Sequence, residues 1–163
     1  MQRLGFVVVL WAALAAGSRA GDFKLPADNP IASITIPAAW NPSEHQDGVE
    51  ATSDDGSVHF AVKAADISDG FKALGEATKY LDSKGVTRDA DSLQQSRNNM
   101  NGMTFVRFNW DGKDSAGACK VSISVVIITP KKEGLLLTCW TSQEGEEKYE
   151  QDLTAIARSI KRL

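Results

Sequence analysis

The sequence predicts an α+β domain: a mainly antiparallel sheet of about six to seven strands with two main helices packed on it. Three observations carry this. Apolar residues alternate with a period of two through much of residues 32 to 142, in runs that stop at Gly, Pro, Asn or Asp, the pattern of half-buried strands. Two stretches, near 69–83 and 146–162, instead repeat apolar residues every three to four positions, the pattern of helices with one buried stripe. The chain has 163 residues, 42% of them hydrophobic, which suits one domain with a core of its own.

Residues 1–20 stand apart from that domain. Arg3 gives a short positive start, Leu4 to Ala16 is an almost unbroken apolar run, and Ser18 and Ala20 supply small residues at positions −3 and −1. This is the pattern of a secretory signal peptide cut before Gly21. Some 13 apolar residues fall short of the ~20 that span a bilayer, so an uncleaved anchor is not expected. The expectation is therefore an exported chain, periplasmic or extracellular and bacterial, with residues 21–163 as a single α+β domain and no transmembrane segment after cleavage. Cleavage removes two of the 18 basic residues and none of the 21 acidic ones, so the net charge moves from −3 to −5. Such a surface repels phosphate backbones, and nucleic acid is not an expected partner.

The mature chain reads in order as follows. Gly21 to Pro30 is polar and Pro-bearing, a lead-in with a first short strand. Ile34 and Ile36 alternate with Ser33 and Thr35 until Pro37 stops the strand, and residues 38–42 turn the chain. Val49–Thr52 and Val58–Lys63 flank Asp54-Asp55-Gly56, a hairpin signal because Gly accepts the positive φ of tight turns. A helix is predicted over 69–83, capped by Ser68 or Asp69 and ended by Gly85, with Phe71, Leu74, Thr78 and Leu81 as its apolar stripe. Residues 86–92 read as irregular. Leu93–Met100 and Met103–Trp110 form a second hairpin about Asn101-Gly102, and 111–117 reads as a loop. Strands are predicted over 118–129 and 135–142, joined by a turn at 129–134; the odd positions Val121–Ile127, the later even positions Val126 and Ile128, and Leu135–Leu137 make them apolar on both faces in part, which calls for at least partial cover on both sides of the sheet. A closing helix is predicted over Glu146–Arg162 with Tyr149, Leu153, Ile156, Ala157 and Ile160 inward, its acids early and its bases late as the helix dipole favours.

Chemistry is sparse in this sequence. It holds no nucleophile elbow, phosphate-binding glycine loop, dinucleotide fingerprint or paired-His zinc motif. Neither a cofactor nor a metal site is predicted. Cys119 and Cys139 are the two cysteines. A hairpin whose paired positions sum to about 264 puts Cys139 opposite Val125, about six residues and ~20 Å from Cys119, beyond the ~7 Å reach of a disulfide. No bridge within the chain is expected. His45 sits in a polar loop, and His59 lies on the strand face opposite Val58 and Phe60. Either is a candidate base, and each is also explained as an exposed or half-covered side chain. Asp54, Asp55, Asp66 and Asp69 are explained by turns and helix capping rather than by a cation, because Ala77 stands where a calcium loop counted from Asp66 needs its terminal Glu. Trp40, in a loop after Pro37, is the aromatic candidate for anchoring a partner, with a lid over the core's end as its structural explanation. Trp110 and Trp140 fall in strands and are predicted core.

Ile34-Thr35-Ile36-Pro37 followed by Trp40, the Asp55-Gly56 hairpin, the mid-chain helix, the strand series from Met103 to Thr141 and the closing Ile156-Ala157-Arg158-Ser159-Ile160-Lys161 come in an order that resembles the PsbP/Mog1-like fold family. That family includes exported bacterial proteins of the DcrB group. The resemblance implies an αβα sandwich and a non-enzymatic accessory or binding role, and it carries no site residues across. The leading expectation is thus a small exported binding domain, not an enzyme, for a protein or cell-envelope component. Trp40 is its first candidate contact, and His45 and His59 are further ones. The alternatives are a carrier of a small apolar ligand held between sheet and helix, and a hydrolase-type enzyme using His45 or His59.

Overall fold

Alternating, β-branched runs put nearly half of the described residues in strands, and local turn chemistry decides where each one ends. The computed structural model describes residues 20–128 and 132–163. The predicted signal peptide, apart from Ala20, and part of the predicted 129–134 turn lie outside the described residues. The described elements are β1 (Gly21–Leu25), β2 (Ala32–Ile36), β3 (Ser43–Glu44), β4 (Gly48–Thr52), β5 (Val58–Asp66), α1 (Gly70–Ser83), β6 (Thr87–Arg88), β7 (Gln94–Met100), β8 (Met103–Asp114), β9 (Gly117–Ile127), β10 (Glu133–Thr141), α2 (Gln143–Ser159) and β11 (Lys161–Arg162). Short 3-10 turns occupy Ala38–Trp40 and Ala90–Ser92. The main sheet runs β3-β4-β5-β10-β9-β8-β6, with β7 pairing β8 on the same edge as β6. Every pairing in it is antiparallel.

The sheet is covered on both faces, as its doubly apolar central strands require. On one face Phe60, Val62, Phe105, Val126 and Leu135 pack beneath α2 and β2. On the other Val121, Ile123, Leu136, Trp110 and Trp140 pack beneath α1. The result is an α+β sandwich in αβα order, and Trp110 and Trp140 are core residues as predicted.

Local signals held where they were strong. Asn101 and Gly102 take φ of 53° and 74°, as a two-residue hairpin turn requires. The Asp69 carboxylate accepts from the Lys72 backbone N–H at 3.1 Å and caps α1. Elsewhere tertiary packing redrew the plan. The α1 stripe is rotated: Ala73, Ala77 and Leu81 are buried, whereas Phe71 is 91% exposed. Small residues let this helix lie close over Trp110 and Trp140, and Phe71 in the first turn points away from them. Residues 111–114 continue β8 instead of forming a loop, because the Asp114 carboxylate accepts from the Ala116 and Gly117 N–H groups and tightens the turn. The helix α2 begins and ends about three residues earlier than predicted. Ser142 caps it by accepting from the Gly145 N–H at 3.0 Å. Past its end, β11 pairs with Ala32 and Ser33 of β2, making a separate three-stranded sheet β1-β2-β11.

The register of β9 with β10 also differs. Cys139 faces Ser122, not Val125. A shift of three positions is odd, so it exchanges the faces as well. Cys119 is buried beneath α1 while Cys139 faces α2, and both thiols are free. The sheet itself separates the two sulfurs.

Candidate functional site

The face of the sheet beneath α2 changes character from one end to the other. Near β2 and β5 it is wholly apolar. Toward β7 and β8 the inward positions become Arg107 and Asn109 on β8, Ser122 and Ser124 on β9, and Cys139 on β10. Cross-strand pairing sets these in rows: Arg107 beside Ser124 beside Leu137, Asn109 beside Ser122 beside Cys139, Asp111 beside Lys120 beside Thr141. One wall of the cleft is α2, through Glu146, Leu153 and Ala157, and the other is the Asp91–Leu93 segment leading into β7, whose first residue Gln94 pairs with Asn109 on the floor. The cleft encloses about 730 Å³, within the size range of small-molecule sites.

Its electrostatics follow from who is paired. Lys120 Nζ reaches Asp111 Oδ1 at 2.5 Å. The Lys120 ammonium is held above its usual pKa chiefly by this hydrogen bond. Arg107 donates from Nε to Ser124 Oγ at 3.3 Å, which ties its guanidinium to the cleft floor while the residue stays exposed. No carboxylate of the described residues lies in ion-pair range of it. Burial pushes the Cys139 thiol up to about 12, against the opposing pull of Arg107, and pushes Cys119 up to about 11. Both shifts favour the thiol over the thiolate, the form that acts as a nucleophile. Among the described residues no three His, Cys, Asp or Glu side chains gather where a metal would need them.

The residues singled out in the sequence lie elsewhere and do not converge. Trp40 is only 2% exposed. Its ring meets Tyr149 of α2 edge-on, centroids 5.6 Å apart, so the structure places it in the core and not at a docking surface. His45 is exposed in the β3–β4 turn. His59 lies on the α1 face, stacked on Trp140 with centroids 4.7 Å apart. Its Nδ1 is 3.2 Å from Thr52 Oγ1, in a recess of about 290 Å³ also lined by Glu50, Tyr80 and Asp114. Its hydrogen-bond partner is thus a hydroxyl rather than a carboxylate. Asp54 and Asp55 are committed to structure: Asp54 accepts from the Tyr149 hydroxyl, and Asp55 accepts from Lys148 at 2.6 Å.

Burial, with a smaller contribution from Lys84, holds the His59 pKa below its ordinary value, while Asp114 pulls the other way. Its proton-coupled stability is therefore present above the unfolded value of about 6.5 and is lost as pH falls through the folded pKa. Imidazole NMR titration of the folded protein is expected to put the His59 midpoint below 6.5, and His59→Gln is expected to flatten the stability–pH curve just below that value. A midpoint at or above 6.5 would contradict this placement.

No protein-family model matches the chain, and no curated protein matches it significantly. Solved structures do. Cyanobacterial PsbP from Synechocystis sp. PCC 6803 is similar over 100% of this chain and 99% of its own, at 10% identity and a TM-score of 0.59. The Saccharomyces cerevisiae Ran-binding protein Mog1p is similar over 88% of this chain and 95% of its own, at 8% identity and a TM-score of 0.52. LpqN of Mycobacterium tuberculosis, described as involved in cell envelope biogenesis, covers 88% and 91% at 14% identity and a TM-score of 0.50. At such identities the likeness shows the fold alone, and the fold is PsbP/Mog1-like.

Proposed function

We propose that this chain is a small exported binding or accessory domain that acts without catalysis and holds its partner in the polar cleft beneath α2. The observation that carries this is the cleft floor. Gln94, Asn109 and Ser122 line it, yet among the described residues their side chains make no hydrogen bond, although the sheet face beside them is packed apolar core. Polar groups set in a concavity and left unspent are what a binding site needs. An apolar cargo finds no support in such a floor. The fold relatives agree with a binding role: one is described as a Ran-binding protein and another as involved in cell envelope biogenesis. A protein or envelope component is accordingly the expected partner, and the apolar leader of residues 4–16 supports export to the periplasm or beyond.

The test is affinity capture from the native envelope with the processed protein and its Arg107→Glu variant. Arg107 is exposed, so the variant is expected to keep its stability within about 0.5 kcal/mol. It is expected to lose the captured component at least about tenfold, the scale of one charge-assisted contact. Equal capture by both proteins would remove the cleft from the proposal.

A further inference from the structure

The charges in the cleft are sorted by position along the strands. Arg107 stands in the first cross-strand row and Asp111 with Lys120 in the third. Four residues along β8 separate those rows by about 13 Å at ~3.3 Å per residue. At the first end is one guanidinium that makes no ion pair among the described residues. At the other end both Asp91 and Glu146 line the cleft: Glu146 is near enough to raise the Lys120 pKa, and Asp91 precedes Ser92, whose hydroxyl accepts from the Asp111 N–H; among the described residues neither is ion-paired. One end is thus positive, and the other carries more carboxylates than its one lysine offsets. Between them lie the unspent amides of Gln94 and Asn109 and the hydroxyl of Ser122. The Cys139 thiol feels both ends, with Arg107 lowering and Glu146 raising its pKa, as expected if both charges face the same space.

We propose that this cleft takes a short zwitterionic peptide of three or four residues, its C-terminal carboxylate on Arg107 and its N-terminal ammonium between Asp91 and Glu146. The inference rests on the cleft reading above and names its ligand class. Length follows from reach: an extended chain spans at most about 3.3–3.6 Å per residue, so three to four residues cover about 10–14 Å, which brackets the separation of the rows. A single amino acid cannot touch both ends, and a simple anion leaves the acidic end uncompensated. Gln94 and Asn109 each offer a donor and an acceptor, which matches the amide groups of a peptide backbone lying across the middle row.

The probes are alanine, trialanine and tetraalanine, with N-acetylated and C-amidated forms of the last two, titrated into the processed protein by calorimetry and backbone NMR. Free trialanine or tetraalanine is expected to bind and to shift the amides of Gln94, Asn109 and Ser122. Either blocking group is expected to weaken binding about tenfold or more, the scale of a charge-assisted hydrogen bond. Arg107→Met is expected to abolish the preference for the free acid over the amide, and Glu146→Gln the preference for the free amine over the acetyl form. Absence of binding by free peptides at ~1 mM, a threshold of roughly −4 kcal/mol, would overturn the inference, as would blocked peptides binding equally well. If peptides fail while Arg107→Glu still releases a captured component, the ligand class falls and the cleft reading stands. If Arg107→Glu also leaves capture unchanged, both fall.

Discussion

Replacing Trp40 with Ala is expected to destabilise the protein by about 3–5 kcal/mol, the cost of emptying a buried tryptophan site. The residue follows Pro37 within a short 3-10 turn, and in sequence it reads either as an anchor for a partner or as a lid over the core's end. Its burial agrees with the second. Its side chain is among the largest of those fully buried, it meets the Tyr149 ring edge-on, and it packs in the cluster that joins β2, β5 and α2. Tyr149 in turn donates to Asp54 in the β4–β5 turn. Removing the indole therefore loosens the small sheet, the closing helix and that turn together. With total stability of a domain near 5–15 kcal/mol, the variant is expected to show a much lower urea midpoint, and Trp40→Phe an intermediate one. A loss below about 1 kcal/mol, the range of surface substitutions rather than cavities, would mean that Trp40 is not core and would restore it as a surface candidate.

What the sequence made legible was local. A turn that needs positive φ announces itself as Asn101-Gly102, and a helix start announces itself as Asp69 before an apolar stripe, because the physics involved spans only a few residues. The pairing of β11 with β2 joins Arg162 to Ala32, and no local pattern records a contact across so many residues. The α1 stripe went astray for a related reason: Phe71 is the more apolar choice, but only the neighbours Trp110 and Trp140 make the small Ala73 and Ala77 the better fit. The candidate cleft was illegible for the deepest reason. Arg107, Asn109, Ser122 and Gln94 look in sequence like the solvent side of separate strands. They share one floor only once the pairings β7–β8 and β8–β9 are known. Alternation along β5 sets His59 opposite Val58 and Phe60, yet its stacking on Trp140 depends on the β5–β10 register, which pairs those two residues directly.

Ile123→Asp and Val126→Asp are each expected to abolish folding, and the pair tests the two-sided core more sharply than either alone. The two positions are three residues apart on β9, so they point to opposite faces. Ile123 is buried in the cluster beneath α1, and Val126 in the cluster beneath α2; both are 0% exposed. A one-sided sheet would leave one of them beside water and tolerant of a carboxylate. Here each carboxylate would be buried between uncharged neighbours, Phe108 and Thr138 beside Ile123 and Phe105 and Leu135 beside Val126. The effective penalty for such a charge is several kcal/mol even after relaxation, on top of about 2–4 kcal/mol for the lost aliphatic side chain. That sum reaches the whole stability of an average domain. The expected outcome is loss of cooperative thermal unfolding and of dispersed NMR amide signals for both variants. Folding by either one would show that its face of the sheet is open. A stable Val126→Asp in particular would undermine the cleft, because the packed apolar end beneath α2 is what holds that helix over the polar floor.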